Sequence, residues 1–369
     1  MVVGHPVYNS RGEVLLNRGV VLTEKYIESL KKLGYPALYI IDESLPEIYV
    51  EDVIDENTRM QAVVLARRIL DGGPKHKAAL NRALMGEAKH TVRDIIDQLL
   101  ESPSLVVNMV DIRSMDDYLF AHSVNVCVLS LITGISLGYS REKLLRLGIG
   151  ALMHDMGKTL IPQSILNKPG PLTKEEFEIV KEHTSYGYTI LTSTGSQVPM
   201  ISALIALQHH ERYGGDGYPQ GLGSQKIHEF AQIVGIADVY DAMTADRVYR
   251  KAYPPHEAYE MLMASGDYLF DYHLVKTFLS HIAAYPAGTL VKLSSGEVGM
   301  AVETKKGHSL YPKVVLLADP QGNPLPERIE LDLSAQTTTT IVKVLDQSEI
   351  QALRKIRRAG RTGAGQNTG

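Results

Sequence analysis

The sequence predicts a mainly α-helical protein with a small β-rich module at its start and a short β-rich extension towards its end. Three observations carry that expectation. Apolar residues recur at helical spacing through most of the span from about Glu56 to Ala284. Short apolar runs separated by turn residues fill the first 45 residues. A second set of such runs follows Tyr285-Pro286.

Taken in order, Pro6-Val7-Tyr8, Asn9-Ser10-Arg11-Gly12 and Glu13-Val14-Leu15-Leu16 read as strand, turn and strand. Thr23 opens a helix over 24–33, stopped by Gly34 and Pro36, and 38–41 forms a closing strand. Residues 1–55 carry no cluster of catalytic side chains and are expected to be a regulatory or accessory module. Residues 56–104 form a helical connector, with Met60, Val63, Val64 and Leu70 on one helix and Val92, Ile95, Ile96 and Leu99 on the next. Asp71-Gly72-Gly73-Pro74 divides the two. Residues 105–284 form the main helical domain. Within it Ser140 is placed to cap the helix running into His154, and Thr173 with Glu176 is a capping-box pattern for the helix carrying His183. Residues 285–346 are β-rich: a hairpin of 289–293 and 298–302 around Ser294-Ser295-Gly296, then strands at 314–317 and 341–344. Residues 347–369 are expected to be a short helix and, from about Ala359, a disordered tail. Arg354, Lys355, Arg357, Arg358 and Arg361 read as a solvated basic face there.

The chain has 369 residues, 44% hydrophobic and 22% charged, an ordinary balance for a soluble globular protein. A net charge of −4 gives no reason to expect binding to DNA, RNA or an anionic membrane. The single cysteine, Cys127, excludes an intrachain disulfide and suits a reducing cytoplasm; within Val124-Asn125-Val126-Cys127-Val128-Leu129 it reads as core filling. No segment approaches the roughly 18 apolar residues of a membrane span. The longest candidate, from Val124 to Leu137, is broken by Asn125, Ser130, Thr133 and Ser136. The first residues lack a basic leader and a signal-type apolar run, so a cytoplasmic location is expected.

The chemistry gathers around Leu152-Met153-His154-Asp155-Met156-Gly157-Lys158. A His-Asp pair alone is weak; the weight comes from the set His122, His154, Asp155, His183, His209, His210 and Asp238. Imidazole and carboxylate groups are ligands for iron, manganese, zinc or nickel, and a carboxylate can bridge two ions. Two ions about 3.5–4 Å apart serve in-line displacement at phosphorus. Asp155 is the candidate bridge, with His122 and Asp238 completing one ion and His183, His209 and His210 the other. A hydroxide between the ions is then the nucleophile, and Lys158 neutralises a phosphate oxygen or assists the departing alkoxide. The expectation is a metal-dependent phosphodiesterase. Plainer readings exist for each piece: Lys158 as a helix C-terminal charge, Asp238 as a cap, and His5, His76, His90, His228, His256, His273, His281 and His308 as structural or surface histidines. The loop Tyr213-Gly214-Gly215-Asp216-Gly217-Tyr218-Pro219 is either a turn displaying Tyr218 for base stacking or a structural turn with that ring buried.

These motifs resemble the HD-GYP domain, a branch of the HD phosphohydrolases. The matching residues are His-Asp-Met-Gly-Lys (154–158), His-His-Glu (209–211), Gly-Tyr-Pro (217–219) and Ile-Ala-Asp-Val-Tyr-Asp-Ala-Met-Thr-Ala-Asp-Arg-Val-Tyr-Arg (236–250), with His122 and His183 in order and spacing. The resemblance covers about residues 105 to 345. It implies an HD-type helical bundle and hydrolysis of cyclic di-GMP to linear pGpG and onward to GMP. It also implies the seven metal ligands above, holding iron or manganese. Lys158, Arg247 and Arg250 match positions that contact substrate phosphates. Gly217 and Tyr218 match the signature loop, a docking point for diguanylate cyclases of the GGDEF type; a homodimer is a further assembly left open. Some members hold a third metal with a glutamate four residues before the first histidine. Here Tyr118 stands there, with Asp117 beside it, so two cations are expected and efficient conversion to GMP is in doubt. Where many members have Asp-Gly-Ser-Gly-Tyr-Pro, this chain has Gly214-Gly215-Asp216-Gly217-Tyr218-Pro219. The first 45 residues resemble a small module that precedes the domain in some members. With no receiver domain ahead of the catalytic part, control by phosphorylation is not expected. Two alternatives stay open: a cyclic di-GMP sensor or scaffold for cyclases, and a hydrolase of another cyclic dinucleotide.

Overall fold

The computed structural model describes residues 1–9, 13–33, 35, 38–43, 45–46, 48, 52–70, 82–108, 118–193, 197–245, 251–336 and 338–364, except for the side chains of 118, 326 and 358–364. At the start, β1 (Val2–Val3) pairs antiparallel with β4 (Ile40–Ile41), and β2 (Val7–Tyr8) with β3 (Val14–Leu16). The turn expected at residues 10–12 lies outside the described residues. Between the pairs runs α1 (Glu24–Lys32), whose first turn is capped by the Thr23 hydroxyl accepting from the Tyr26 N–H. Leu30 seats this helix on Val3, Val7, Leu16 and Tyr35, a small core of its own. The closing strand is shorter than the expected 38–41 because only two residues find a partner, in β1.

The helical part opens with α2 (Glu56–Leu70) and α3 (Arg82–Glu101); the Gly-Gly-Pro interruption between them lies outside the described residues. Next come α4 (Tyr118–Ser136) and α5 (Arg141–Leu152), the latter capped by the Ser140 hydroxyl accepting from the Lys143 N–H. Helix α4 departs from the sequence expectation. Its window Leu119–Ser136 has mean hydropathy 1.7, long and apolar enough to cross a membrane by composition. That window is 78% buried, packed against α2, α5 and later helices, as the central helix of a core. Of the polar residues expected to interrupt it, Thr133 donates to the Leu129 carbonyl within the helix, and Asn125 is satisfied across helices by Arg59 and Asp241. Cys127 is fully buried on this helix, as core filling requires, and burial pushes its thiol up to about 12.

After α6 (Gln163–Leu166), α7 (Lys174–Lys181) begins with the full reciprocal capping box of Thr173 and Glu176. The chain then bends at Glu182 (φ −61°, ψ −16°), so His183 opens α8 (His183–Thr192) instead of lying inside the capped helix. The remaining helices are α9 (Met200–Gln208), α10 (Glu229–Thr244), α11 (Pro255–Met263) and α12 (Tyr272–Leu279). Helix α10 is apolar around most of its circumference, burying Phe230, Ile233, Val234, Ile236 and Tyr240, and so packs between α4, α9, α11 and α12.

The C-terminal strands β5 (Leu290–Leu293), β6 (Val298–Glu303), β7 (Lys313–Ala318), β8 (Pro324–Asp332) and β9 (Ile341–Val344) form one antiparallel sheet in the order β8-β7-β6-β5-β9. Strand β8 was not expected. Helix α13 (Gln347–Ala364) closes this part and runs past Ala359, where a disordered tail was expected; residues 365–369 lie outside the described residues. Its basic residues are not all solvated. Arg354 pairs with Asp42 of the N-terminal module at 2.5 Å, and Arg357 donates to the Leu317 carbonyl at 2.8 Å.

Candidate metal centre

Each candidate ligand is delivered by the end or the buried face of a helix, or by the turn just after one. Helix α4 carries His122 in its first turns. Its Nδ1 lies 2.7 Å from Asp241 Oδ2 and its Nε2 3.1 Å from Asp238 Oδ1. Asp238 and Asp241 sit three residues apart, on one face of α10. Helix α5 stops at Leu152, so His154 and Asp155 occupy the turn after it, not the helix end itself. A 3₁₀ turn, Met156–Leu160, then folds back and brings Lys158 Nζ within 2.5 Å of Asp155 Oδ2. Gly157 is required by close approach: a Cβ there would lie 1.8 Å from the His183 carbonyl oxygen. That contact locks the His154-Asp155 turn against the start of α8. His209 ends α9, with His210 following.

Three of the imidazoles share one orientation. Nδ1 of His154 lies 2.7 Å from the Ala151 carbonyl, that of His183 2.6 Å from Val180, and that of His209 3.0 Å from Ala206. A carbonyl only accepts, so each Nδ1 carries the proton and each Nε2 turns a lone pair inward. His183 Nε2 and His209 Nε2 then face each other at 3.4 Å with no proton to share. His154 Nε2 and Asp155 Oδ1, both buried, have no hydrogen-bond partner. Such a set of inward acceptors calls for a cation, and anchoring of the outer ring nitrogen is the usual arrangement around a ligating histidine.

The electrostatics agree. Burial holds His183 down at about 4 and His210 at about 3, against the opposing pull of Asp155 and Asp238, and burial with the neighbouring His210 holds His209 well below its ordinary value. These rings are therefore neutral near pH 7, the form that ligates. Burial opposes ionisation of Asp155, but Lys158 and His154 outweigh it, and its carboxyl stays well below the usual range. Asp238 is held down likewise, against burial, by His122 and His210. His122 is the exception. Burial lowers it, but Asp238 and Asp241 outweigh that and raise it to about 9. In the metal-free protein its Nε2 keeps a proton, which a bound cation would replace.

Three groups bring their ligand atoms within 4.8 Å of one another: His183, His209 and His210; His122, His154 and Asp155; and His154, His209 and Asp238. All seven expected positions therefore meet in one buried cluster. Asp155 Oδ2 faces His122 and His154 at 3.8 and 3.4 Å, while Oδ1 faces His183 and His209 at 3.6 and 4.0 Å. The donor set, imidazole nitrogen with carboxylate oxygen, fits divalent cations.

At the rim, Tyr218 stacks on His210 with ring centroids 4.8 Å apart, so this ring is part of the cluster wall. Gly217 packs where a Cβ would meet the Arg212 nitrogen at 2.3 Å, and the Tyr218 N–H donates to the His210 carbonyl. Arg247 and Arg250, expected at the phosphates, lie outside the described residues, as do Asp117 and the side chain of Tyr118. Sequence reasoning gave no role to several residues here. Buried Glu211 accepts from the backbone N–H groups of Gln220 and Leu222 and so folds the glycine loop. Phe177 and Lys181 of α7 flank Tyr218: the two rings lie 6.2 Å apart, and Lys181 Nζ is 5.6 Å from the Tyr218 centroid. The i,i+4 spacing of Phe177 and Lys181 on a capped helix was the available signal.

Comparison with known proteins agrees with this geometry. Residues 108–274 match the HD domain family, and residues 290–353 match a KOW domain associated with the HD domain. The chain is therefore an HD-domain protein. Its motifs resemble those of the HD-GYP branch. It is 34% identical over 263 residues to a cyclic di-GMP phosphodiesterase of Pseudomonas aeruginosa, covering 69% of this chain and 63% of that one. A cyclic di-GMP phosphodiesterase of Thermotoga maritima is 37% identical over 187 residues, 50% of this chain and 49% of its own. A 3′3′-cGAMP-specific phosphodiesterase of Vibrio cholerae is 39% identical over 129 residues, 35% of this chain and 25% of its own. The chain spans less than two thirds of the length of each of these relatives.

Proposed function

We propose that this chain is a metal-dependent phosphodiesterase that hydrolyses cyclic di-GMP to linear pGpG, and further to GMP more slowly. The observation that carries the reading is the inward set of acceptors left without partners, His154 Nε2 and Asp155 Oδ1 among them. His122, His154, Asp155, His183, His209, His210 and Asp238 would hold two divalent cations, iron or manganese by family and nickel or zinc by donor type, with Asp155 between them. Cations held there supply Lewis acidity towards phosphoryl oxygens and lower the pKa of water within reach.

The protein's own groups do the rest. Lys158, one quarter exposed and paired to Asp155, stands at the mouth of the cluster, where it meets a phosphate oxygen or gives a proton to the departing alkoxide. Arg247 and Arg250 are assigned to the second phosphate. Tyr218, Phe177 and Lys181 form an aromatic rim with a cation over it, suited to a nucleobase face. The Gly-Tyr-Pro loop, with Asp216 and Pro219 exposed, is the surface we assign to GGDEF-type cyclases, and a cytoplasmic location follows from that substrate and partner.

The test is one anaerobic preparation on which metal content and cyclic di-GMP consumption are both measured, with 3′3′-cGAMP as a second substrate. Two cations per chain with appearance of pGpG supports the reading. Full metal loading with tight retention of intact cyclic di-GMP would make the protein a sensor. Preference for 3′3′-cGAMP would move the substrate within the cyclic dinucleotides.

A further inference from the structure

We propose that Arg59 is a positioning residue for the metal centre: through Asn125 and Asp241 it fixes the orientation of His122, and Asp52 holds it in that role. The proposal rests on the metal-site reading above. Arg59 lies on α2, outside the stretch that matches the HD domain, and is 4% exposed. Its Nε and Nη2 fork onto the Asp52 carboxylate at 2.9–3.1 Å, an ion pair with matched geometry. Its Nη1 donates to Asn125 Oδ1 at 3.0 Å. Asn125 Nδ2 donates in turn to Asp241 Oδ1 at 2.7 Å, and the other oxygen of Asp241 faces His122 Nδ1 at 2.7 Å.

The direction of every bond in this chain is set by its far end. A guanidinium has donors and no acceptor, so the Asn125 amide must present its oxygen to Arg59 and its NH₂ to Asp241. The flipped amide would set oxygen against carboxylate and NH₂ against guanidinium. With Oδ1 of Asp241 occupied by Asn125, its Oδ2 is aimed at His122. That oxygen accepts the Nδ1 proton, which turns Nε2 of His122 towards Asp238 and Asp155. His122 and Asn125 stand three residues apart on α4, as Asp238 and Asp241 do on α10, so both helices offer one ligand and one supporting group on the same face. Asp52 precedes α2, on the segment leading out of the N-terminal module, so a shift of that segment reaches His122 through fixed bonds and not through loose packing.

The experiment uses the full chain. Arg59→Met keeps the stem and removes the donors; Arg59→Lys keeps a charged donor; Asn125→Ser breaks the next link at a partly buried site and carries the test should Arg59→Met not fold. Two quantities are read on metal-free protein: Mn²⁺ affinity by titration, and the slowly exchanging His122 Nδ1 proton by NMR, assigned by its loss in His122→Gln. Arg59→Met and Asn125→Ser should weaken Mn²⁺ binding about 10–100-fold, the usual cost of losing such an outer partner, and abolish the slow proton signal. Arg59→Lys should recover most of both. A folded Arg59→Met protein with native Mn²⁺ affinity and an intact proton signal overturns the proposal, and so do equal losses in the Met and Lys variants, which mean packing alone. If the native protein binds no Mn²⁺, the functional reading fails, but the proton signal still decides for or against Arg59.

Discussion

In the C-terminal sheet the buried residues of one face are Val291, Leu293, Ala301 and Val314, and those of the other are Leu290, Met300, Val315 and Leu317. The helical domain buries an equally dry region, but fills it with His122, His154, Asp155, His183, His209 and Asp238. The first kind of burial stabilises the fold as it stands, at roughly 25 cal/mol per Å² of apolar surface. The second removes charged and polar groups from water and leaves some without partners, which is unfavourable until a ligand satisfies them. The contrast teaches where this chain trades stability for chemistry. Substitutions in the sheet should move stability and leave metal binding alone; substitutions in the cluster should move metal binding first, and stability through the metal lost.

The sharpest break would come from Asp155→Ala. Its two oxygens face separate groups of histidines, so we expect turnover of cyclic di-GMP to fall more than about 10²–10³-fold, the loss seen on removing a single stabilising group, with bound metal falling too. Full metal content and full rate in the purified variant would refute the role assigned to Asp155. Lys158→Ala should retain metal, since an ammonium is no ligand, and slow hydrolysis roughly 10²-fold. Equal loss of metal would place Lys158 in assembly of the site instead. On the other side of the comparison, Leu293→Ala should lower stability by about 2–5 kcal/mol in denaturant unfolding while Mn²⁺ affinity stays native. A change in Mn²⁺ affinity would mean that the sheet and the cluster are mechanically joined. The smallest effect belongs to Thr173→Ala, which removes half of the α7 capping box and should cost about 1 kcal/mol. Because α7 carries Phe177 and Lys181, the informative readout is KM for cyclic di-GMP, expected to rise with kcat unchanged.

The long helices and the hairpin of the sheet could be seen in the sequence because periodic apolar residues, caps such as Ser140 and turns such as Ser294-Ser295-Gly296 act locally. Strand β8 could not, because its pairing with β7 is decided by tertiary contact while Pro324, Pro326 and its charges argue for a turn. The break at Glu182 was hidden for a similar reason: the capping box fixes where α7 starts and says nothing of where it ends. In the cluster, the inward histidines could be picked out because imidazoles with an adjacent carboxylate are rare as a set. Asp241, Asn125 and Arg59 escaped, being ordinary polar residues whose meaning lies in bonds across 66 and 116 positions of chain. Even so, the i,i+3 repeat of polar groups on two otherwise apolar helices was a signal in plain view.

Helix α4 is deeply embedded in the helical core and is also the bearer of His122. His122 therefore cannot be lost as a ligand by fraying at an edge; freeing it requires loosening of the interior itself. Chelation and heating should therefore be two routes to one cooperative event. A cation at 100 times its dissociation constant would add about 2.7 kcal/mol to the resistance of the whole helical body to unfolding. Supply of metal would then govern how long the folded chain survives, as well as how fast it works.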